Sequence, residues 1–387
     1  MPQQYPSERS TGFDPQTGAT VIQWTRGPHK NQHLYFTSPS VTADNRWLVF
    51  ISDRNGQPNL YAIDRHNGAI RRLSDNTEGL LRGYVYPQGG RVGLAKASPC
   101  LDAAQNRIYY IHNDTVCVVD LDAPGSSERR VCALPAGWYT AFTHVSPDGR
   151  TLCVPIADPR AFEQPMRTQW EQLRRVPDLM RADGMVTRLV LIDTASGRIR
   201  VAAEPPFWVT HVQFDPAGTG RIIFNKEGQW PHTGIPLPDR VWCLETNGSF
   251  RPIAPESEDE WRSHENWAPD GQSVVYHGSR HGKPFVAARS WDGQLLREAS
   301  LDGIRLHHAT GAIDGRRLFI DKQDGAIAVF DPADSEHPLT DLCRHDTSME
   351  DQDTHAHPIT TPDGRGLIFT SDRTGNCNVF EVLLTDP

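Results

Sequence analysis

The stretch TPDGRGLIFTSDRTGNCNVFEV (361–382) opens on a Pro-Asp-Gly turn and runs into a β-rich segment. It then turns again at Thr374-Gly375-Asn376 and closes on a second β-rich segment. Two β-branched and aromatic runs separated by glycine and asparagine turns are the signature of a hairpin. The same pattern recurs along the chain, in TADNRWLVFISDRNGQPNLYAID (42–64), AAQNRIYYIHNDTVCVVDLD (103–122) and SPDGRTLCVPIAD (146–158), whose partner TRLVLIDTASG follows an insertion. It returns in DPAGTGRIIFNKEG with RVWCLETNG, in APDGQSVVYHGSRHGKPFVAARSWDG (268–293) and in IDGRRLFIDKQDGAIAVFDP (313–332).

These make seven units, with turn positions at residues 44, 105, 148, 217, 270, 314 and 363, spaced by 43 to 69 residues. The shortest spacings suit one four-stranded blade. No alternation of strand and helix suggests a parallel sheet. The expected fold is therefore all-β, a seven-bladed β-propeller. One helical segment, RAFEQPMRTQWEQLRRVPDLMRA (160–182), interrupts the third blade and is placed to overhang one face. Residues 1–18 read as a tail and 19–387 as a single propeller domain, with ATVIQWT (19–25) supplying a strand that closes the ring on the last blade.

Composition agrees. The 387 residues include 31 glycines and 30 prolines, about 16% of the chain against a usual share of about 12%. The net charge of -9 carries no basic footprint of the kind nucleic-acid binding leaves. No stretch approaches the roughly 18 apolar residues of a membrane span, and mean hydropathy is -0.53. Seven scattered cysteines without a CxxC read as reduced thiols, and no basic segment followed by an apolar one opens the chain. Together these predict a cytoplasmic location. An acidic ligand would need a concentrated positive site to offset the overall charge.

Aligning the units on their turn residue gives a test that one motif cannot. Histidine stands six residues upstream in four of them: His211, His264, His308 and His357. In a propeller the strand before such a turn is expected innermost, so four histidines far apart in sequence converge on one channel mouth. His355 lies two residues before His357 and would share its face in a regular strand. Any single histidine here could equally be packed or exposed. Recurrence in register is harder to explain by packing, which would repeat apolar residues instead. Imidazole is the commonest metal ligand and a base suited to neutral pH. With no thiolate in the register, an imidazole set with a carboxamide oxygen suits Mn, Fe, Co, Ni or Zn, and leaves that choice open.

At RSHENWAPDG (262–271), DQDTHAHPITTPDG (351–364) and FWVTHVQFDP (207–216) the sequence resembles the oligogalacturonate lyases of polysaccharide lyase family 22. The helical insertion, the TRLVLIDTASG strand, FNKEG and RHDTSMEDQDTHAHP follow in the same order. The resemblance implies a cytoplasmic seven-bladed propeller holding manganese through His264, Gln352, His355 and His357. It implies His211 as general base and Arg188 beside the substrate carboxylate. The implied reaction is β-elimination on short galacturonides, notably unsaturated digalacturonate, giving a 4-deoxy-5-keto uronic acid.

Two places depart from the family pattern. GPHKNQHLYFTSPSVTAD (27–44) places His33, Tyr35 and Ser38 in a substrate-facing stretch, and Lys226 stands where histidine is expected. His33, Lys226 and His308 are accordingly read as substrate contacts, with His144 a further candidate. Glu265 is either a partner that orients His264 or a solvated strand-end acid. Alternative readings are a lyase for another uronate oligosaccharide and a sugar-binding or scaffold propeller without activity. The expected partner is a small acidic oligosaccharide.

Overall fold

Each β-rich run of the repeat becomes a strand, and the strands pair antiparallel into seven sheets. The computed structural model describes residues 3–77, 94–95, 97–123, 128–164, 166, 168–228, 239–257, 259–336, 338–350 and 352–384. Blade 5 shows the plan: Glu260–Trp267 innermost, then Ser273–Arg280, Lys283–Ser290 and Leu295–Ser300 outward. The fold is the seven-bladed propeller expected from the repeat.

The strands read as nearly continuous apolar runs because each sheet is covered on both faces. Along Thr115–Asp120 of blade 2, Cys117 and Val119 pack against blade 1, while Val116 and Val118 pack against blade 3. The period-two alternation thus feeds two neighbours rather than a core and solvent. One hydrophobic cluster forms between each adjacent pair of blades, all the way round.

The turn that defines the repeat lies at one end of the propeller. The residue after each turn position has a left-handed backbone in all seven blades: Asn45 and Asn106 (φ 58° and 52°), then Gly149, Gly218, Gly271, Gly315 and Gly364. That region admits glycine and asparagine and penalises other side chains. At Gly149 space matters as well, since a Cβ there would lie 2.2 Å from an Asp102 carboxylate oxygen of the preceding blade.

Ring closure corrects the reading of the N-terminus. Thr20–Gln23 pairs with Asn378–Leu383 in blade 7, with Val21 opposite Val382. Residues 1–18 are not a tail throughout, because Ser10–Phe13 adds a fifth strand outside Thr20–Gln23 and Gln4–Tyr5 pairs with Ile70–Arg72 of blade 1. The segment therefore straps blade 7 to blade 1. Both strands are short and largely exposed, so they leave no apolar period to read. Polar groups lock the same seam. The buried Glu381 carboxylate accepts from Trp24 Nε1 (2.8 Å) and pairs with Arg65 (2.6 Å).

The helical insertion lies in blade 3, between Thr151–Ala157 and Thr187–Asp193. Its helix α1, Gln169–Ala182, begins at Thr168, whose hydroxyl accepts from the Glu171 amide. Leu173, Val176 and Met180 bury one face against Phe162 and Trp208. Trp208 precedes His211 by three residues, so the insertion braces the end of the propeller opposite the repeat turns. Among the described residues, no helix is long and apolar enough to cross a membrane.

Candidate active site

The four in-register histidines do gather at one channel mouth, the end away from the Asp-Gly turns. Ring centroids of His308 lie 4.3 Å from His264, 4.2 Å from His357 and 5.6 Å from His355. Nitrogens of His308, His355 and His357 fall within 4.8 Å of one another. The channel axis does by convergence what no local motif could.

Backbone irregularity aims these rings. His264 sits in a bulge where the register of blade 5 slips between Ser263 and Asn266, and its φ is +52°. A second slip, between Leu306 and His308, precedes the blade 6 histidine. His357 has φ +46°. Left-handed backbone at a residue other than glycine is uncommon and concentrates at functional sites. The stretch around His355 is not the regular strand its spacing suggested. A 3-10 turn occupies Gln352–Thr354 and the inner strand of blade 7 is only Ile359–Thr360. The two rings are nevertheless 5.5 Å apart. The Gln352 side chain lies outside the described residues.

His264 Nδ1 lies 2.8 Å from His277 Nε2, so one of these two buried imidazoles donates to the other. Burial draws the His277 pKa down to about 4, with the Asp321 charge opposing, so the ring is neutral. On His308, Nδ1 is 2.8 Å from the buried Asp321 carboxylate, and Nε2, also buried, has no hydrogen-bond partner among the described residues. Burial and adjacent imidazoles hold the pKa values of His264 and His308 well below 6.5. A cluster of neutral imidazoles with oriented lone pairs and no thiolate fits a divalent metal ion.

His211 belongs to a separate network. Its backbone amide bonds Asn225 Oδ1 (2.8 Å), and its ring stacks on Phe142 (4.7 Å) and Tyr35 (5.5 Å). Nδ1 lies 3.6 Å from Glu265 Oε1, while Glu265 Oε2 accepts from Arg240 Nε (2.9 Å). Arg240, fully buried, also meets Glu227 at 3.3 Å. Burial would raise the Glu227 pKa, but Arg240, His211, Thr210 and the Gly228 amide together hold it at about 2. For His211 burial dominates and lowers the pKa, with Glu265 and Glu227 opposing. The imidazole is neutral, with a carboxylate on its Nδ1 side. Glu265 is thus a buried partner of Arg240 rather than a solvated acid.

The remaining expected contacts are placed differently. His33 is buried, with Nε2 on the His357 carbonyl (2.8 Å) and Nδ1 on Thr370 Oγ1 (2.6 Å). Both nitrogens hold the protein, so the ring supports the strained backbone of His357 instead of facing a sugar. Ser38 bonds the Leu101 amide of blade 2. His144 accepts from the Phe214 amide and holds backbone carbonyls of Val145 and Thr37. Arg188 stands on the third strand of blade 3, bonded to Glu204 (2.8 Å) and lying over Trp138 (4.2 Å). The fold does not bring its guanidinium into the imidazole cluster. Lys226 is half-buried near Phe207 (5.7 Å), and burial lowers its pKa against the charges of Asp239 and Glu256. Phe36 floors the site, 5.3 Å from His308 and 5.8 Å from His264. It also lines a cavity of about 490 Å³ on the far side.

Sequence reading missed Asp321, His277, Arg240 and Glu227. The first two lie on the second strands of their blades, opposite the histidines they hold. The signal at Asp321 was an acidic residue inside the apolar run Leu318–Ile320 of its second strand.

Comparison with known proteins places this geometry. The model of a family described as oligogalacturonate lyase matches residues 89–336. The oligogalacturonide lyase of Pectobacterium atrosepticum is 24% identical, covering 96% of this chain and 95% of that protein. An oligogalacturonate lyase of Dickeya dadantii gives the same identity and coverage. Among solved structures, an oligogalacturonate lyase in complex with manganese superposes with a TM-score of 0.83 at 23% identity, covering 100% of this chain and 98% of its own. An oligogalacturonate lyase from Vibrio parahaemolyticus gives 0.82 at 22%, covering 100% and 99%.

Proposed function

The chain belongs to the oligogalacturonate lyase family and is a lyase, and from that premise we propose that it cleaves short oligogalacturonides, unsaturated digalacturonate foremost, by β-elimination. The observation that carries the reading is the pairing, at one mouth, of a multi-histidine cluster with a separately held neutral imidazole. A scaffold needs neither.

β-Elimination removes the C5 proton next to a carboxylate, a poor acid because the carbanion forms beside an existing negative charge. Manganese held by His264, His355 and His357, with Gln352 from the adjoining turn, would supply Lewis acidity to that carboxylate. His211 takes the C5 proton, the electron pair of the broken C5–H bond forms the C4–C5 double bond, and the C4–O bond to the leaving sugar breaks. Glu265 on its Nδ1 side favours the tautomer with the proton at Nδ1, so Nε2 is the accepting atom, and it stabilises the imidazolium as it forms. Arg240 and Glu227 keep Glu265 in place. Arg188 would have to leave Glu204 to meet a uronate, and an arginine suits that bidentate contact. Lys226 offers a second cation at the rim. We place the protein in the cytoplasm, where its seven unbridged cysteines would stay reduced.

Incubating manganese-loaded protein with unsaturated digalacturonate tests this reading. The ultraviolet absorbance of the substrate's conjugated double bond should disappear as the keto product forms. Failure to turn over any uronate oligosaccharide would remove the lyase assignment.

A further inference from the structure

Six residues before the turn, where blades 4 to 7 carry histidine, blades 1 to 3 carry Ser38, Pro99 and Phe142. The mouth therefore has an imidazole half and a half without one, and a single ring stands at their border. Tyr35 follows the inner strand of blade 1, Asn31–His33. It lies parallel to His211 (5.5 Å between centroids, 4° between planes) and meets His357 edge-on at 4.8 Å. Phe142 backs it at 4.0 Å. Phe36 and Phe142 are buried, whereas Tyr35 is only half-buried. An aromatic ring left partly open at a polar mouth is an apolar surface that a ligand can cover. The loop keeps that ring still. The Ser38 amide donates to the Tyr35 carbonyl (2.8 Å), the Leu34 amide to Ser40 Oγ (3.0 Å) and the Leu101 amide of blade 2 to Ser38 Oγ (3.1 Å). Leu34 and Phe36 on either side are buried. A surface fixed before binding loses little freedom when a ligand arrives.

We propose that Tyr35 is the platform on which the uronate ring rests while it bridges the base and the imidazole cluster, a substrate-contacting residue that sets their common geometry. The inference rests on the lyase reading of this mouth. β-Elimination needs one sugar to offer its C5 hydrogen to His211 and its C6 carboxylate to the cluster at the same moment. Those groups sit on adjacent carbons, so the sugar must span the gap between His211 and His357, and Tyr35 touches both rings. A pyranose presents its C–H groups as an apolar face, which packs on an aromatic ring as its hydroxyls do not. Blade 1 thus serves the site without a histidine in the register, by sending an aromatic loop across the channel.

The test uses manganese-saturated full-length protein and unsaturated digalacturonate. Affinity is read by calorimetry in a His211→Gln background that stops turnover, and kcat and KM in the native one. Tyr35→Leu fills the space without a flat ring and should weaken binding about 10-fold. It should also lower kcat by about 10²-fold, because the sugar is misplaced between base and cluster. Tyr35→Phe and Tyr35→Trp keep a ring and should hold binding within about 3-fold. Unchanged binding in Tyr35→Leu, with only kcat lowered, would reduce Tyr35 to a spacer between His211 and His357 and overturn the proposal. Tyr35→Phe losing as much as Tyr35→Leu would also overturn it, by moving recognition to the hydroxyl. Wild type that binds the sugar without cleaving any uronate would sink the lyase reading while the platform stands. Protein that neither binds nor cleaves it would sink both.

Discussion

The two mouths of the channel are built from the same seven repeats by opposite rules. At the turn mouth every blade does the same thing: a left-handed residue follows the turn, and a Ser or Thr hydroxyl bonds the turn Asp at 2.6 Å in blades 1, 3 and 7. At the histidine mouth the blades share a histidine register but depart from the repeat in backbone. Bulges in blades 5 and 6, the insertion in blade 3 and the 3-10 turn before blade 7 each break the pattern in their own way. Repetition marks scaffold, and departure from it marks chemistry. Buried histidines sharpen the contrast, since His144 lines the far cavity with its Nδ1 on the Phe214 amide, whereas the His308 ring keeps a nitrogen without a partner among the described residues.

If that division holds, changes at the histidine mouth should move activity far more than stability. The largest expected effect is His211→Ala, which removes the base and should lower kcat by about 10²–10⁴-fold. Manganese affinity and melting temperature should stay near wild type. Activity within a few-fold of wild type would assign the base elsewhere and take the chemistry away from blade 4.

Arg240 is where the division should fail in an informative way. It stands at the histidine mouth yet is fully buried between Glu227 and Glu265. Arg240→Ala leaves two buried carboxylates without their counter-charge and should destabilise the fold by about 3–5 kcal/mol in urea unfolding. Activity should fall with it, because Glu265 loses its anchor beside His211. Loss of activity with full stability would make Arg240 a substrate group instead of a brace.

How much of this was legible follows the same division. The repeat exposed the fold because every Asp-Gly or Asn turn recurs at the same place in its blade. It also exposed His211, His264, His308 and His357, because residues in register on different blades share a height on the axis. What it hid depends on pairing across a hairpin. Asp321 meets His308, and His277 meets His264, only once the bulged registers are known. His33 looked like a contact because it stands in a polar stretch leading into a loop, and only its burial shows that it holds His357. The N-terminal strands were invisible for want of any apolar period.

Acid should act at the turn end of the channel as well. Burial draws the His144 pKa from 6.5 to about 4. The folded state refuses a proton that the unfolded chain accepts, so unfolding takes up protons between these values. His144 therefore contributes a loss of stability as pH falls from about 6.5 to about 4, and nothing further below that. The pH slope of urea stability, read in that window, should drop by about one proton in His144→Asn. An unchanged slope would mean the ring is already charged in the fold.

The smallest effects should come from the turn mouth, and two glycines there separate backbone from packing. Gly149 and Gly218 occupy the same position in neighbouring blades, with φ of 71° and 75°. A Cβ at Gly218 meets nothing within 4 Å, whereas at Gly149 it meets Asp102 and Gln105 of blade 2. Gly218→Ala should therefore cost about 1–2 kcal/mol, the left-handed penalty alone. Gly149→Ala adds the displacement of two side chains and should cost more. Neither should change kcat/KM, since the inner strands run the length of the channel between these turns and the imidazoles. A change in kcat/KM at unchanged stability in either variant would show that the two mouths are coupled and that the scaffold end takes part in the chemistry.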